Sequence, residues 1–282
     1  MSAQAHDASA GATITIRPAS GWLALNLAEL WEYRELLYFL IWRDLKVRYR
    51  QTAIGVAWVV IQPLATTAIF AVIFGRLAGL PSEGVPYPLF VFAALLPWQL
   101  FSGGISRAAV SLVSNANLLT KVYFPRLLVP LAAVLSGIVD LSVFFVILAG
   151  MMGWYRVTPS WAVLTLPLLV VIAVLAAMAI GIWLAAFNVR YRDVQQAIPF
   201  LIQIWFLASP VAYSGSLVPA GPWRVLYNLN PMTGVIQGFR WALFGKTPPD
   251  PLAWVSVAVI VVLFVAGLFY FRRLEDSFAD VV

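Results

Sequence analysis

Few residues in this chain are of types that do chemistry, and they stand apart. An enzyme working on a lipid-borne substrate needs a general acid and base, a nucleophile or a metal cluster. Asp140 is the one acid deep within a long uncharged stretch, and the single histidine, His6, lies far away in a polar Ala/Ser-rich tail. No cysteine is present, which excludes disulfides and thiolate metal sites and leaves the redox compartment unread. No pair remains to divide acid and base work, so no catalytic, metal-ligating or cofactor-holding residue is expected. Asp140 has two readings: it marks a pathway or a coupling site, as in a proton-coupled secondary carrier, or it pairs with a neighbouring helix or faces an aqueous cavity without moving protons. No inverted repeat with paired broken helices accompanies it, which thins the carrier reading. FGKT at 244–247 ends like the phosphate loop GxxxxGK[ST], but that motif puts glycine where Arg240 stands, and no strand pattern precedes it. Energy from nucleotide would therefore come from another subunit.

The elements around these residues are set by composition. Hydrophobic residues make up 62% of 282 positions and charged residues 11%, far from the rough half and quarter of a soluble domain. This balance defines an all-α integral membrane protein. The excess of 18 Lys and Arg over 12 Asp and Glu reflects positive loops beside apolar spans, and no nucleic-acid partner is expected. Uncharged windows run over 51–75, 84–106, 127–155 (broken once by Asp140), 157–189, 194–223 and 251–271. Each is long enough for one crossing of about 20 residues, so six spans are expected within 48–272. Thirteen of the 18 Lys and Arg then fall on the side holding both termini, which places the termini and the 107–126 loop in the cytoplasm of a multi-pass bacterial inner-membrane protein.

The flanks divide into a mobile tail over 1–21, an amphipathic helix over 22–47 and a cytoplasmic tail over 273–282. The tail lacks the basic start, apolar run and cleavage site of a signal peptide, so the first span directs insertion. Leu23, Leu27, Leu30, Trp31, Leu37, Tyr38, Ile41 and Leu45 recur at helical spacing, with Glu29, Glu32 and Glu35 on another face. That pattern suits a helix lying on the membrane surface or one packed against the spans, and RDLKVRYR at 43–50 suits anionic headgroups. GRLAG at 75–79 has small-xxx-small spacing but is expected to be a plain helix terminus beside Arg76. The fifth window is interrupted by Pro199 and Pro210 and runs into SPVAYSGSLVPAGPW, which includes Pro222. In NPMTGVIQGFRWALFG, Asn230 is an N-cap, Pro231 a first-turn proline and Gly245 a stop. The result is a one-sided helix of about 14 residues, too short to cross, expected to form a re-entrant outer gate with Pro210 and Pro222. SNANLLTKVYFPR at 114–126 is cytoplasmic on this topology: Asn115 and Asn117 cap or turn, Leu118, Leu119, Val122 and Phe124 form an apolar side, and Pro125 ends the element.

Four ordered blocks carry a resemblance: RDLKVRYRQTAIGVAWVVIQPL at 43–64, LLPWQLFSGGISRAAVSLVSNANLLTKVYFPR at 95–126, FNVRYRDV at 187–194 and YNLNPMTGVIQGFRWALFG at 227–245. Over nearly all of 35–272 the chain resembles the membrane subunits of type-2 ABC exporters, and within them the permeases for O-antigen, capsular polysaccharide or teichoic acid. The resemblance implies a homodimer joined to two copies of a separate ABC ATPase that binds ATP and Mg, with a polyprenyl-diphosphate-linked glycan as cargo. It also implies a coupling helix over 115–124 that docks on the ATPase through Asn115, Asn117, Leu118, Leu119, Lys121, Val122, Tyr123 and Phe124. The helix at 22–45 would add to that contact. An exporter of drugs or small lipids on the same architecture is the nearer alternative, and a carrier coupled through Asp140 the more distant one.

A sugar polymer suits aromatic walls, since ring faces bind apolar C–H patches of many sugars without one tight site. Trp58, Trp98, Phe101, Trp205, Phe206 and Tyr213 are candidates for such a channel, although Trp and Tyr also belong at membrane interfaces and Phe against lipid. Arg48, Arg50, Arg190 and Arg192 stand at the expected cytoplasmic entrance, where guanidinium forks match diphosphate oxygens; topology signalling explains them equally well.

Overall fold

A computed structural model describes residues 27–50, 55–191 and 193–275. The 1–21 tail, Leu23, Arg192 and positions 276–282 of the C-terminal tail lie outside the described residues. The described chain is helical and contains no strand. In order it forms α1 (Leu27–Glu32), α2 (Arg34–Arg50), α3 (Gly55–Phe70, continued as a π-helix over Ala71–Leu77), α4 (Tyr87–Ser114), α5 (Ala116–Lys121), α6 (Leu128–Leu135), α7 (Gly137–Tyr155), α8 (Leu166–Arg190), α9 (Val194–Ala208), α10 (Pro222–Asn228), α11 (Pro231–Phe244) and α12 (Ala253–Glu275).

Among the described residues, five stretches are long and apolar enough to cross a membrane: Ala57–Leu77, Tyr87–Ser114, Leu128–Tyr155, Trp161–Arg190 and Ala253–Glu275. The fifth expected window yields only the 15 residues of α9. At 1.5 Å per residue that is about 22 Å, short of the roughly 30 Å hydrocarbon core. Pro210 is the cause, because the residue before a proline is pushed out of the helical region, and Ser209 is extended with ψ 148°.

α4 is the centre of the bundle and packs against α8, α6, α7 and α11, while α12 closes over α8 and α11. Small residues bring α4 and α8 together: a Cβ at Gly181 would lie 2.8 Å from that of Ala108, and one at Gly104 would lie 3.0 Å from that of Ala177. Asn188 Nδ2 donates to the Ala109 carbonyl across this seam at 3.0 Å. Trp183 Nε1 donates to Leu263 O at 3.0 Å and joins α8 to α12.

From Leu27 onward the amphipathic segment is helical, with two differences from expectation. It breaks at Tyr33 and continues to Arg50. Its inner face is Leu36, Leu37, Leu40 and Ile41, packed towards α6, while Trp31 is 72% and Tyr38 70% exposed. The apolar stripe read from the sequence is wide enough to straddle both directions, so packing on α6 takes the aliphatic edge and leaves Trp31, Tyr38, Phe39 and Trp42 outside. Exposed Trp and Tyr suit a headgroup layer. The GRLAG stretch ends a helix, with Gly79 left-handed at φ 62° just past the last turn.

Candidate functional site

Four groupings of side chains stand out. The first joins α2 to α7. Arg48 Nη1 donates to Asp140 Oδ2 at 2.8 Å and Nη2 to Ser136 Oγ at 3.1 Å, and the Tyr49 hydroxyl donates to the other Asp140 oxygen. Burial, then the bond to Asp140 and its charge, pushes the Tyr49 hydroxyl up to about 12, so it stays a donor at neutral pH. Asp140 is thus paired across helices, and the proton-coupled reading is not favoured. Arg48 belongs to this pair, whereas Arg50 and Arg190 are exposed, the latter with its guanidinium carbon 5.6 Å from the Tyr191 ring centroid. Arg107 escaped the sequence reading, which counted it as a loop charge. α4 runs on to Ser114, which puts Arg107 about two turns inside the helix.

The second is aromatic. Ring centroids lie 5.2 Å apart for Trp98–Phe206, 5.1 Å for Phe101–Trp205 and 5.6 Å for Trp98–Phe101, and Phe70 of α3 joins at 5.7 Å from Phe206. Four of the six channel candidates therefore meet where α4 packs on α9. Trp58 is exposed on α3, apart from this cluster, and Tyr213 sits by Tyr227 at 6.4 Å.

The third is the segment after α9. Asn230 caps α11 through Oδ1, which accepts from Met232 N at 3.0 Å and also from Trp205 Nε1 at 2.9 Å; its Nδ2 donates to Ser209 Oγ at 2.9 Å. Pro231 opens the helix, and Gly245 ends it at φ 65°. Buried Pro210 lies in the turn between α9 and this region, and exposed Pro222 opens α10. α11 is not one-sided as expected. It is buried on nearly every face, because a Cβ at Gly234 would lie 2.8 Å from Ala253 O and one at Gly238 2.8 Å from Leu169 Cδ2, so α12 and α8 close on it.

Arg240, named in the sequence as the residue that breaks the phosphate-loop pattern, holds this arrangement. It is 4% exposed. Nε donates to Phe90 O at 3.2 Å, Nη1 to Tyr213 O at 3.2 Å and Nη2 to Val211 O at 2.9 Å, and its guanidinium carbon lies 3.4 Å from the Phe90 ring centroid. One side chain thus ties α4, the turn at 211–213 and α11. A lone arginine inside an apolar helix was the available signal, since such a group must find partners.

The fourth is the segment at 115–124. Its helix covers Ala116–Lys121 only, and Val122 is already extended. The helix stops short of Phe124 because the residue before Pro125 avoids helical backbone. The expected apolar side is divided: Leu119 and Phe124 are buried, while Val122 and Tyr123 are exposed, Tyr123 by 71%. Asn117 and Lys121 are exposed, Leu118 is half-buried, and Asn115 Nδ2 donates to Ser111 O at 2.7 Å rather than capping α5. Beyond it, Arg126 donates its backbone N–H to Glu275 Oε1 at 3.1 Å, so this segment and the end of α12 share one end of the bundle.

Five long apolar helices joined by buried polar contacts define a multi-pass all-helical membrane protein. The family is explicit in the sequence: the chain belongs to the ABC-2 type transporter family, whose profile matches residues 35–244. It is 31% identical over 254 residues to the O-antigen export system permease protein RfbA of Myxococcus xanthus, covering 88% of this chain and 96% of that protein. A protein of the same description from Klebsiella pneumoniae is 26% identical, with 88% of this chain and 95% of that one covered. The polysialic acid transport protein KpsM of Escherichia coli is 22% identical, with 83% and 92% covered.

Proposed function

We propose that this chain is the permease half of an ATP-driven exporter that moves a lipid-linked, O-antigen-like polysaccharide from the cytoplasmic leaflet of a bacterial inner membrane outward. The observation that carries the reading is likeness along nearly the whole of the Myxococcus xanthus O-antigen export permease, at 31% identity over 96% of that protein. The aromatic group of Trp98, Phe101, Trp205 and Phe206 supports it, because a wall of ring faces suits sugar without demanding one sequence of sugars.

Two copies of the chain form the membrane part, and two copies of a separate ABC ATPase supply ATP, Mg and motion. The chain alternates ends at each long helix. On this reading α9 together with the turn that follows it serves as the fifth of six crossings and both termini are cytoplasmic; the bond from Asn230 to Ser209 at the far end of α9, and from Arg126 to Glu275 at the other end of the bundle, support that arrangement. The exposed edge of 116–123 docks on the ATPase, α2 lies at the inner headgroups, and the 209–245 segment gates the outer face.

Reconstitution with an ABC ATPase tests the proposal. ATP-dependent movement of a polyprenyl-diphosphate-linked glycan is expected, and it should cease when the ATPase cannot hydrolyse. Uphill movement by this polypeptide alone, or export that survives a dead ATPase, would sink it.

A further inference from the structure

A cavity of about 130 Å³ opens between α3, α4 and α7, and its polar lining is Gln62, Gln99, Arg107 and Asp140. Arg107 is its unusual member. Nε donates to Ala133 O at 2.9 Å, while Nη2 is buried and has no partner among the described residues. The guanidinium is seated against two glycines: a Cβ at Gly137 would lie 2.4 Å from Nη2, and one at Gly103 would lie 2.9 Å from Nη1. Any side chain at either position would push the arginine out of its seat.

Charge decides what the cavity suits. The Asp140 carboxylate has both oxygens engaged, by Arg48 and by the Tyr49 hydroxyl, so its charge is offset locally. Arg107 is then left with donors to spare and two amides beside it, an arrangement that matches an anion rich in oxygen. Depth narrows the choice. Gln62 is exposed on α3, seven residues from its start at Gly55, and Arg107 is seven from the end of α4 at Ser114. Both positions lie about 10 Å inside the same end of the bundle, within reach of a headgroup pulled just below the surface.

We infer that this cavity is a phosphate site for a membrane lipid headgroup, with Arg107 as the binding side chain, Gln62 and Gln99 as supporting donors, and Gly103 and Gly137 as the seat. Two lipids carry this chemistry. One is the diphosphate of a polyprenyl carrier, which rests on the export reading above; the other is the phosphodiester of an ordinary anionic phospholipid.

The test uses the full chain in phosphatidylcholine nanodiscs carrying either polyprenyl diphosphate or phosphatidylglycerol, with bound lipid counted by native mass spectrometry across a titration. Arg107→Gln is expected to weaken retention about tenfold or more, the scale of losing a charged hydrogen-bond donor, and Gln62→Leu about threefold. Arg76→Gln, which removes an exposed charge at the other end of the same span, should change nothing. Loss for polyprenyl diphosphate alone identifies the carrier as occupant; loss for phosphatidylglycerol identifies a resident phospholipid. If Arg107→Gln does not fold, Gln62→Leu carries the decision, since it removes an exposed amide and no buried contact. Wild-type retention of both lipids in the folded variants would overturn the inference. Lost glycan export with lipid retention intact would instead count against the export reading and leave the site standing.

Discussion

The 209–245 segment and the 115–124 segment both interrupt long apolar stretches, yet they solve opposite problems. The first turns inward. Two of its polar side chains are tied within the chain, Asn230 to Trp205, Ser209 and Met232 and Arg240 to three carbonyls. The second is finished on one side only: Leu119 and Phe124 anchor it, and Val122 and Tyr123 face outward. If the 209–245 segment gates the outer face as proposed, such internal bonds are what would hold it shut. In the proposed exporter, the ATPase would complete this surface and cover its apolar residues.

The largest expected effect breaks the inward-turned segment. Arg240→Leu strands the carbonyls of Phe90, Val211 and Tyr213, and should cost about 3 kcal/mol or more in stability, read as a loss of folded yield and a lower melting temperature in detergent. Arg240→Lys should recover part of this, since an ammonium cannot fork to three carbonyls. Next comes Asn230→Ala, which removes the α11 cap and the Trp205 bond; a loss of about 1–2 kcal/mol is expected in the same assay.

The outward-facing segment should respond differently. Tyr123→Ala should leave the chain's own stability within about 0.5 kcal/mol, as exposed positions do, while reducing co-purification of the ATPase. Leu119→Ala should lower both, because that side chain belongs to the core. Equal losses of stability for Tyr123→Ala and Leu119→Ala would erase the contrast. The smallest effect is at Tyr49. Its folded-state hydroxyl is raised from 10.0 to about 12, so the stability it contributes is complete below pH 10 and fades as pH rises towards 12. An ultraviolet titration of wild type against Tyr49→Phe should reveal one late-titrating phenol, which an Asp140→Asn variant should release at lower pH.

How much of this was legible in the sequence follows from the range of each interaction. The limits of α11 were readable because Asn230, Pro231 and Gly245 act within one turn of themselves. Charge-free windows located the long helices for the same local reason, yet the window containing α9 overstated its length, since Pro210 stops the helix without adding a charge. The roles of Arg240 and Arg107 were not legible, because the groups that explain them, at Phe90, Val211 and Tyr213 for one and at Ala133 and Gly137 for the other, lie elsewhere in the chain. The segment at 115–124 was legible as an apolar stretch in a polar setting, but the burial of Leu119 and Phe124 and the exposure of Val122 and Tyr123 depend on packing that the local sequence does not carry.

The central claim is that this chain is a conduit moved from its cytoplasmic face by a separate ATPase. Because the sequence contains no cysteine, Tyr123→Cys gives a unique thiol on the exposed edge of the 115–124 segment. A membrane-impermeant maleimide applied to oriented vesicles, with and without the ATPase subunit, asks the question directly. Labelling only from the cytoplasmic side, blocked when the ATPase is bound, is expected; labelling from the opposite side, or labelling indifferent to the ATPase, would contradict the claim.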